Sequence, residues 1–191
     1  MFQTPCIIFA GGKSSRMGVD KSLLPFTAFD TLAEYQYTKL SQFFSQVYIV
    51  TKECTKFNFD AQCIEDISKT QSAPTFGFIS AFEKLSDEKI FVLSVDTPFI
   101  TQEIIEQLFK EDNADYDVTV ARVDDTVHPI CGIYHRSLLP KLREMMESSK
   151  HKLGFLLKDA NTCYVDFTDE EPFFNLNHPH EYQEALKKTT R

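Results

Sequence analysis

Several features that would assign a chain to a well-defined class are missing from these 191 residues. No apolar run approaches the roughly 20 residues needed to span a bilayer. The opening Met-Phe-Gln-Thr-Pro carries no cationic stretch, so we expect no signal peptide. Repeats, low-complexity tracts and linkers are absent as well. We therefore expect one globular domain over residues 1–191, with no membrane association.

An excess of positive charge is also missing, because the formal net charge is −8. This argues against nucleic acid as the main partner. The chain has no C-x-x-C pair, although five cysteines occur along it, at Cys6, Cys54, Cys63, Cys131 and Cys163. A zinc site or a disulfide scaffold is therefore not expected. Reduced thiols and a cytoplasmic location follow as predictions.

Strand and helix patterns alternate along the chain. Short apolar runs predict strands at 6–10, 47–51, 61–65, 89–95, 116–123, 130–134 and 163–167. Helical periodicity and capping residues predict helices at 30–44, 75–85, 137–147 and 153–158, and from 101 and 178 onward. The run at 89–95 is almost wholly apolar, which suits the centre of a parallel sheet. The alternation predicts an α/β three-layer sandwich with a Rossmann-like, mostly parallel sheet and one antiparallel strand.

A glycine-rich segment follows the first predicted strand. It combines glycines with cations, at Gly11, Gly12, Gly18, Lys13, Arg16 and Lys21. Backbone N–H groups and cations together suit a polyphosphate, whereas a plain turn with solvated lysines is the alternative. A Walker A motif would need glycine where the chain has Ile7, and G-x-G-x-x-G finds no match from Gly11 onward. An NAD dehydrogenase is therefore not expected.

Two aspartates follow other predicted strands. Asp96 comes directly after the strongest one, at the edge where open α/β sheets place their ligands. A carboxylate there would hold Mg²⁺, which bridges to phosphate oxygens, although Asp before Pro is also common in turns. Asp66 ends a further strand and would contact a ribose, a base or the metal, or simply serve as a turn residue.

Three further positions carry polar side chains of interest. Asn175 and Asn177 point the same way in an extended chain and would bind one polar ligand, or else cap the last helix. Lys152 belongs to a short cationic run that suits a solvated surface or an anionic second substrate. His128 precedes Pro129 and is expected to be a turn residue rather than a general base.

The segment from Phe9 to Lys21 reads F-A-G-G-K-S-S-R-M-G-V-D-K. It closely resembles the signature L-A-G-G-x-S-x-R-M-G-x-D-K of nucleotidyltransferases of the molybdenum cofactor guanylyltransferase type. Supporting segments follow in family order, namely Asp96-Thr-Pro, His128-Pro129, Val165-Asp-Phe167 and Asn175-x-Asn177-x-Pro179. The chain departs from the pattern at Phe9 and Lys52, where the family has Leu and Asn. It departs again at residues 73–77, which read A-P-T-F-G in place of G-P-L-x-G.

The resemblance implies transfer of GMP from GTP to molybdenum-molybdopterin, with Mg²⁺ as the cofactor and pyrophosphate as the second product. It places the nucleotide against Phe9, Ala10, Gly11, Gly12, Lys13, Lys21, Asp66 and Asp96. It gives Lys21, Arg16 and Asp96 the catalytic roles, with Asp96 as the metal ligand. The pterin would contact Asn175, Asn177 and Lys152.

The resemblance also implies transient contact with cofactor-insertion proteins or molybdoenzymes. Two alternatives stay open. One is another nucleotidyltransferase, which would transfer CMP to molybdopterin or a nucleoside monophosphate to a sugar 1-phosphate. The other is a non-catalytic nucleotide-binding module. Cytidylyl relatives typically read A-A-G where this chain has Ala10-Gly11-Gly12, which favours guanine.

Overall fold

A computed structural model describes residues 1–12, 17–68, 70–148 and 150–189. Its strands are β1 (Cys6–Phe9), β2 (Val47–Thr51), β3 (Cys63–Glu65), β4 (Lys89–Ser94), β5 (Val118–Val123), β6 (Thr126–His135) and β7 (Thr162–Phe167). Its helices are α1 (Leu32–Leu40), α2 (Pro74–Lys84), α3 (Gln102–Glu111), α4 (Leu139–Glu147), α5 (Leu153–Asp159) and α6 (Pro179–Thr189). The seven strands form one sheet in the order β3-β2-β1-β4-β6-β5-β7.

Strand β6 runs antiparallel to both of its neighbours, β4 and β5, and the other neighbouring pairs are parallel. The predicted mostly parallel sheet with one antiparallel strand is therefore confirmed. Because β1 to β4 are mutually parallel, their carboxyl ends meet at one edge of the sheet. Strands β2 and β3 lie on one side of β1, and β4 lies on the other side.

Helices cover both faces of the sheet, as the apolar strands require. The side chain of Ile8 packs in a cluster that includes residues of α1, α3 and α6. The side chain of the preceding residue, Ile7, packs in a second cluster with residues of α2, α4 and α5. Successive strand residues point to opposite faces, so a continuous apolar strand buries both. The predicted three-layer sandwich is confirmed.

The β5–β6 hairpin differs from the prediction. Its turn is Asp124-Asp125, with Asp124 at a positive φ of 50°, and His128 pairs with Ala121 inside strand β6. The expectation of a turn at His128 was wrong because the chain already reverses at Asp124-Asp125, so that β6 begins at Thr126. The register then shifts, from Ala121 opposite His128 to Val120 opposite Gly132. Residues 129–131 therefore have no partners on β5. Pro129, which has no backbone N–H, lies in this unpaired stretch, so no hydrogen bond to β5 is lost there.

The cysteines also differ from the prediction. Cys54 and Cys63 form a disulfide, whereas Cys6, Cys131 and Cys163 are free thiols. The expectation of no disulfide was therefore wrong for one pair. Cys54 lies in a 3₁₀ turn after β2 and Cys63 opens the neighbouring β3, so the chain folds back between them. Spacing in the sequence carries no signal for such a pairing. None of the described helices has the length and apolar character that a membrane span requires.

Candidate active site

A cavity of about 280 Å³ opens at the carboxyl ends of β1, β2, β3 and β4. Its lining comes from residues 9–12, 20–22, 72–74 and 94–96, together with Val50, Asp66 and Ile130. The chain reverses its direction of travel across the sheet between β1 and β4. Open α/β sheets bind ligands in the crevice formed at such a switch point. The cavity therefore lies where the fold itself favours a binding site.

Backbone hydrogen bonds bring the segments after β1 and β4 together. Ala10 N donates to Val50 O at 2.9 Å, and Val95 N donates to Phe9 O at 3.1 Å. The glycine-rich segment and the turn that carries Asp96 consequently leave the sheet side by side. Gly18 has a φ of 73°, which glycine adopts without steric cost.

Lys21 joins three parts of the chain at the cavity. Its ammonium forms an ion pair with the Asp96 carboxylate and lies 3.2 Å from Leu176 O and 3.1 Å from Asn177 Oδ1. The two charged side chains are 14% and 11% exposed. Leu176 N also donates to Asp96 O at 2.9 Å. The structure thus brings together Lys21, Asp96 and Asn177, which the sequence marked separately.

The donor set around Asp96 determines what kind of metal site is feasible. Among the described residues, no three His, Cys, Asp or Glu side chains are grouped so as to hold a metal ion by themselves. Mg²⁺ is commonly bound through one or two carboxylates, water and substrate phosphates. The ammonium of Lys21 also shows that the position beside Asp96 favours a positive charge. The residues therefore fit a Mg²⁺ ion that shares its ligands with a nucleotide.

The opposite end of the cavity is aromatic and polar. The Phe9 ring packs on Phe78 with a centroid distance of 4.9 Å. A Cβ at Gly77 would lie 2.6 Å from Phe9 Cε1, so glycine is needed for this close approach. Asp66 is 6% exposed and accepts from Ser68 N at 2.9 Å. A planar base and its ribose would meet apolar surface and a carboxylate at this end.

Ser72 is a lining residue that the sequence did not single out. Its hydroxyl oxygen is buried and has no hydrogen-bond partner in the described part of the chain. A buried polar group without a partner is costly, and a ligand in the cavity would supply one. No local sequence pattern distinguishes this serine from other loop serines.

The predicted nucleotide residues collect at the cavity. Its lining includes Phe9, Ala10, Gly11, Gly12, Lys21, Asp66 and Asp96. Lys13 and Arg16 lie outside the described residues.

The predicted pterin residues are more dispersed. Asn177 contacts Lys21, whereas the Asn175 amide donates to Phe173 O at 2.9 Å, so the two amides have different partners. Neither amide accounts for the start of α6. There Glu181 accepts from Asn177 N at 2.6 Å and from His178 N at 2.7 Å. Lys152 is exposed at the start of α5 and does not line the cavity.

A second lysine, which sequence reasoning missed, lies behind the glycine-rich segment. Lys56 Nζ is 2.8 Å from Asp20 Oδ2, 3.0 Å from Ser22 Oγ and 3.1 Å from Ala10 O. Burial raises the pKa of Asp20, but hydrogen bonds from Lys56 and Ser22 outweigh burial and leave that pKa below its usual value. Its position could have indicated this role, because Lys56 follows the carboxyl end of β2, at the same edge of the sheet as the cavity.

The chain matches the family model of the MobA-like NTP transferase domain over residues 6–163. It is 37% identical over 186 residues to the molybdenum cofactor guanylyltransferase of Campylobacter jejuni strain RM1221, which covers 96% of this chain and 95% of the relative. The protein of the same name from Helicobacter pylori strain J99 is 32% identical over 188 residues, covering 96% and 88%.

A solved structure shares the fold. The molybdopterin-guanine dinucleotide biosynthesis protein A from Archaeoglobus fulgidus superposes with a TM-score of 0.84 and 22% identity. The alignment covers 98% of this chain and 99% of that protein.

Proposed function

Because the chain belongs to the MobA-like NTP transferase family and is a nucleotidyltransferase, we propose that it transfers GMP from GTP to molybdenum-molybdopterin and releases pyrophosphate. The names of the Campylobacter and Helicobacter relatives support this substrate pair. The observation that carries the proposal is the Lys21–Asp96 ion pair, which links the glycine-rich segment to the end of a central strand inside the cavity. The proposal treats residues 1–191 as one catalytic domain.

The two ends of the cavity suit the two parts of a nucleotide. Gly11 and Gly12 have no side chains and follow the carboxyl end of β1, so their backbone N–H groups can approach phosphate oxygens. Lys21 supplies positive charge beside them, and the sequence pattern adds Lys13 and Arg16. Asp66, together with Phe9 and Ser72, would hold the ribose and base at the other end.

Charge neutralisation is the main chemical task in this reaction, since the attacking phosphate of the pterin and the α-phosphate of GTP repel each other. Asp96 would hold Mg²⁺, which would neutralise charge on the phosphates and on the pyrophosphate that leaves. Lys21 holds its ammonium between Asp96 and Asn177. A cation fixed in advance stabilises developing charge without reorganising in the transition state.

The second substrate is proposed to bind on the side of Asn177. Because this amide contacts Lys21, a pterin phosphate bound there would lie close to the reacting centre. Asn175 and Lys152 are further proposed contacts, outside the cavity lining. Transfer of the product to molybdoenzymes or insertion proteins belongs to the same proposal.

The test is pyrophosphate release with each of the four NTPs in the presence of molybdenum-molybdopterin, with and without Mg²⁺. We expect turnover with GTP, none with CTP, and loss of turnover when the metal is chelated. Turnover with CTP would contradict the choice of base. Turnover with a sugar 1-phosphate in place of the pterin would contradict the choice of acceptor, and full activity without a divalent metal would contradict the role of Asp96.

A further inference from the structure

Lys56 lies outside the cavity lining, yet it contacts both ends of the glycine-rich segment. On one side its ammonium is 3.1 Å from the carbonyl oxygen of Ala10, the residue before Gly11. On the other side it is 2.8 Å from Asp20 Oδ2 and 3.0 Å from Ser22 Oγ, the two residues that flank Lys21. Its side chain is 15% exposed. One buried cation thus spans the base of the segment that we propose for the phosphates.

Asp20 is fully engaged by this arrangement. Its Oδ1 accepts from Ser22 N at 3.0 Å and from Ser22 Oγ at 2.7 Å, while its Oδ2 faces Lys56. Asp20 nevertheless lines the cavity, where a bare carboxylate would repel a polyphosphate. Lys56, which does not line the cavity, offsets that charge.

We propose that Lys56 is a positioning residue for the nucleotide, which holds the Gly11-Gly12 backbone and Lys21 at their working separation and neutralises Asp20. This inference rests on the proposed use of the cavity for a nucleoside triphosphate. Lys56 does not touch the nucleotide itself; it acts through Ala10 and Asp20.

The backbone that carries Lys56 is itself restrained. Cys54 and Cys63 are joined, so the segment between them is a closed loop anchored on β3. The ammonium also lies 4.9 Å from the ring of Phe57. A restrained support reduces the ordering needed when a ligand binds, which is the general basis of preorganisation.

The experiment compares Lys56→Met and Lys56→Arg with a control, Lys89→Met. Lys89 also pairs with a buried carboxylate, that of Asp112, but it begins β4 at the sheet edge opposite Asp96. We measure KM for GTP, kcat, the affinity for a fluorescent GTP analogue, and stability to urea. Lys56→Met should raise KM for GTP by roughly 10- to 100-fold, the effect of losing charge-assisted hydrogen bonds, and change kcat much less. Lys56→Arg should restore most of the affinity.

Lys89→Met should lower stability and leave KM unchanged. The proposal is overturned if Lys56→Met and Lys89→Met give the same KM, or if Lys56→Arg binds no better than Lys56→Met. If Lys56→Met does not fold, Lys56→Gln, which keeps one donor, should give an intermediate KM; a wild-type KM would refute the proposal. Failure of the wild type to turn over GTP counts against the proposed function, whereas binding of the fluorescent analogue still tests Lys56.

Discussion

The ion pair between Lys21 and Asp96 can be separated into its structural and its functional parts by a double-mutant cycle. The variants are Lys21→Met, Asp96→Asn and the two combined. Met and Asn preserve the approximate shape of the side chains they replace while removing their charges. The fold should survive in all three, because neither residue contributes to the two apolar clusters.

The expected losses of stability are unequal. Without Lys21, the Asp96 carboxylate, which is only 11% exposed in the wild type, loses its ion-pair partner. This should cost about 3 kcal/mol, the lower end of the range for broken buried pairs. Without the Asp96 charge, the ammonium keeps the oxygens of Leu176 and Asn177, so the cost is about 1 kcal/mol. The double variant removes both charges, so neither is left without its ion-pair partner. It should therefore recover much of the stability lost in Lys21→Met.

Turnover should behave differently from stability. Each variant removes a charge proposed to act on the phosphates, so all three should lose at least about 100-fold in kcat/KM. Urea unfolding gives the free energies and pyrophosphate release gives the rates. Strictly additive losses of stability would show that the pair is not coupled. Near-normal turnover in Lys21→Met would refute the placement of this lysine at the reacting centre.

Asp112, Gly77 and Lys39 each carry a further prediction. Burial raises the pKa of Asp112, but hydrogen bonds led by that of His135 outweigh burial and hold that pKa below its usual value. The stability that Asp112 contributes is therefore present above its unfolded pKa of about 3.9 and lost as the pH falls, so Asp112→Asn should flatten the acid side of a urea-unfolding series. Gly77→Ala would push a Cβ against the Phe9 ring, at 2.6 Å, and should raise KM for GTP; adding Phe9→Leu should lower it again, and no such rescue would contradict the packing argument. Burial lowers the pKa of Lys39 to about 8, so between about pH 8 and 10.5 the unfolded chain binds more protons than the folded one. The unfolding free energy of the wild type minus that of Lys39→Met should therefore rise with pH across this window, as denaturation at several pH values will show.

Much of the fold could be predicted from the sequence because apolar run length and capping residues are local signals. Strand β2 was predicted to the residue at Val47–Thr51, and the last helix, expected from 178 onward, begins at Pro179. Capping residues contributed to the helix predicted at 30–44, and the Thr31 hydroxyl there accepts from Glu34 N at 3.0 Å. These features depend on a few neighbouring residues, so the sequence contains them directly.

The candidate site could be predicted only in part. Lys21 and Asp96 were identified because each follows a strand, and parallel strands end at one edge of a sheet. Lys56 was missed because its role depends on the fold of the segment between β2 and β3. Asn175 and Asn177 were identified as a pair, yet the local backbone turns their amides to different partners. Such outcomes depend on tertiary structure that periodicity does not encode.

The contacts of Lys21 also determine when, during synthesis of the chain, the environment of this lysine can be completed. The ammonium meets Leu176 and Asn177, which lie 155 and 156 residues further along the chain. At translation rates of roughly 5 to 20 residues per second, this separation corresponds to roughly 8 to 30 s. The parallel part of the sheet, from β1 to β4, has by then long left the ribosome. A growing chain can thus assemble the nucleotide half of the cavity well before the segment that completes the environment of its lysine has been made.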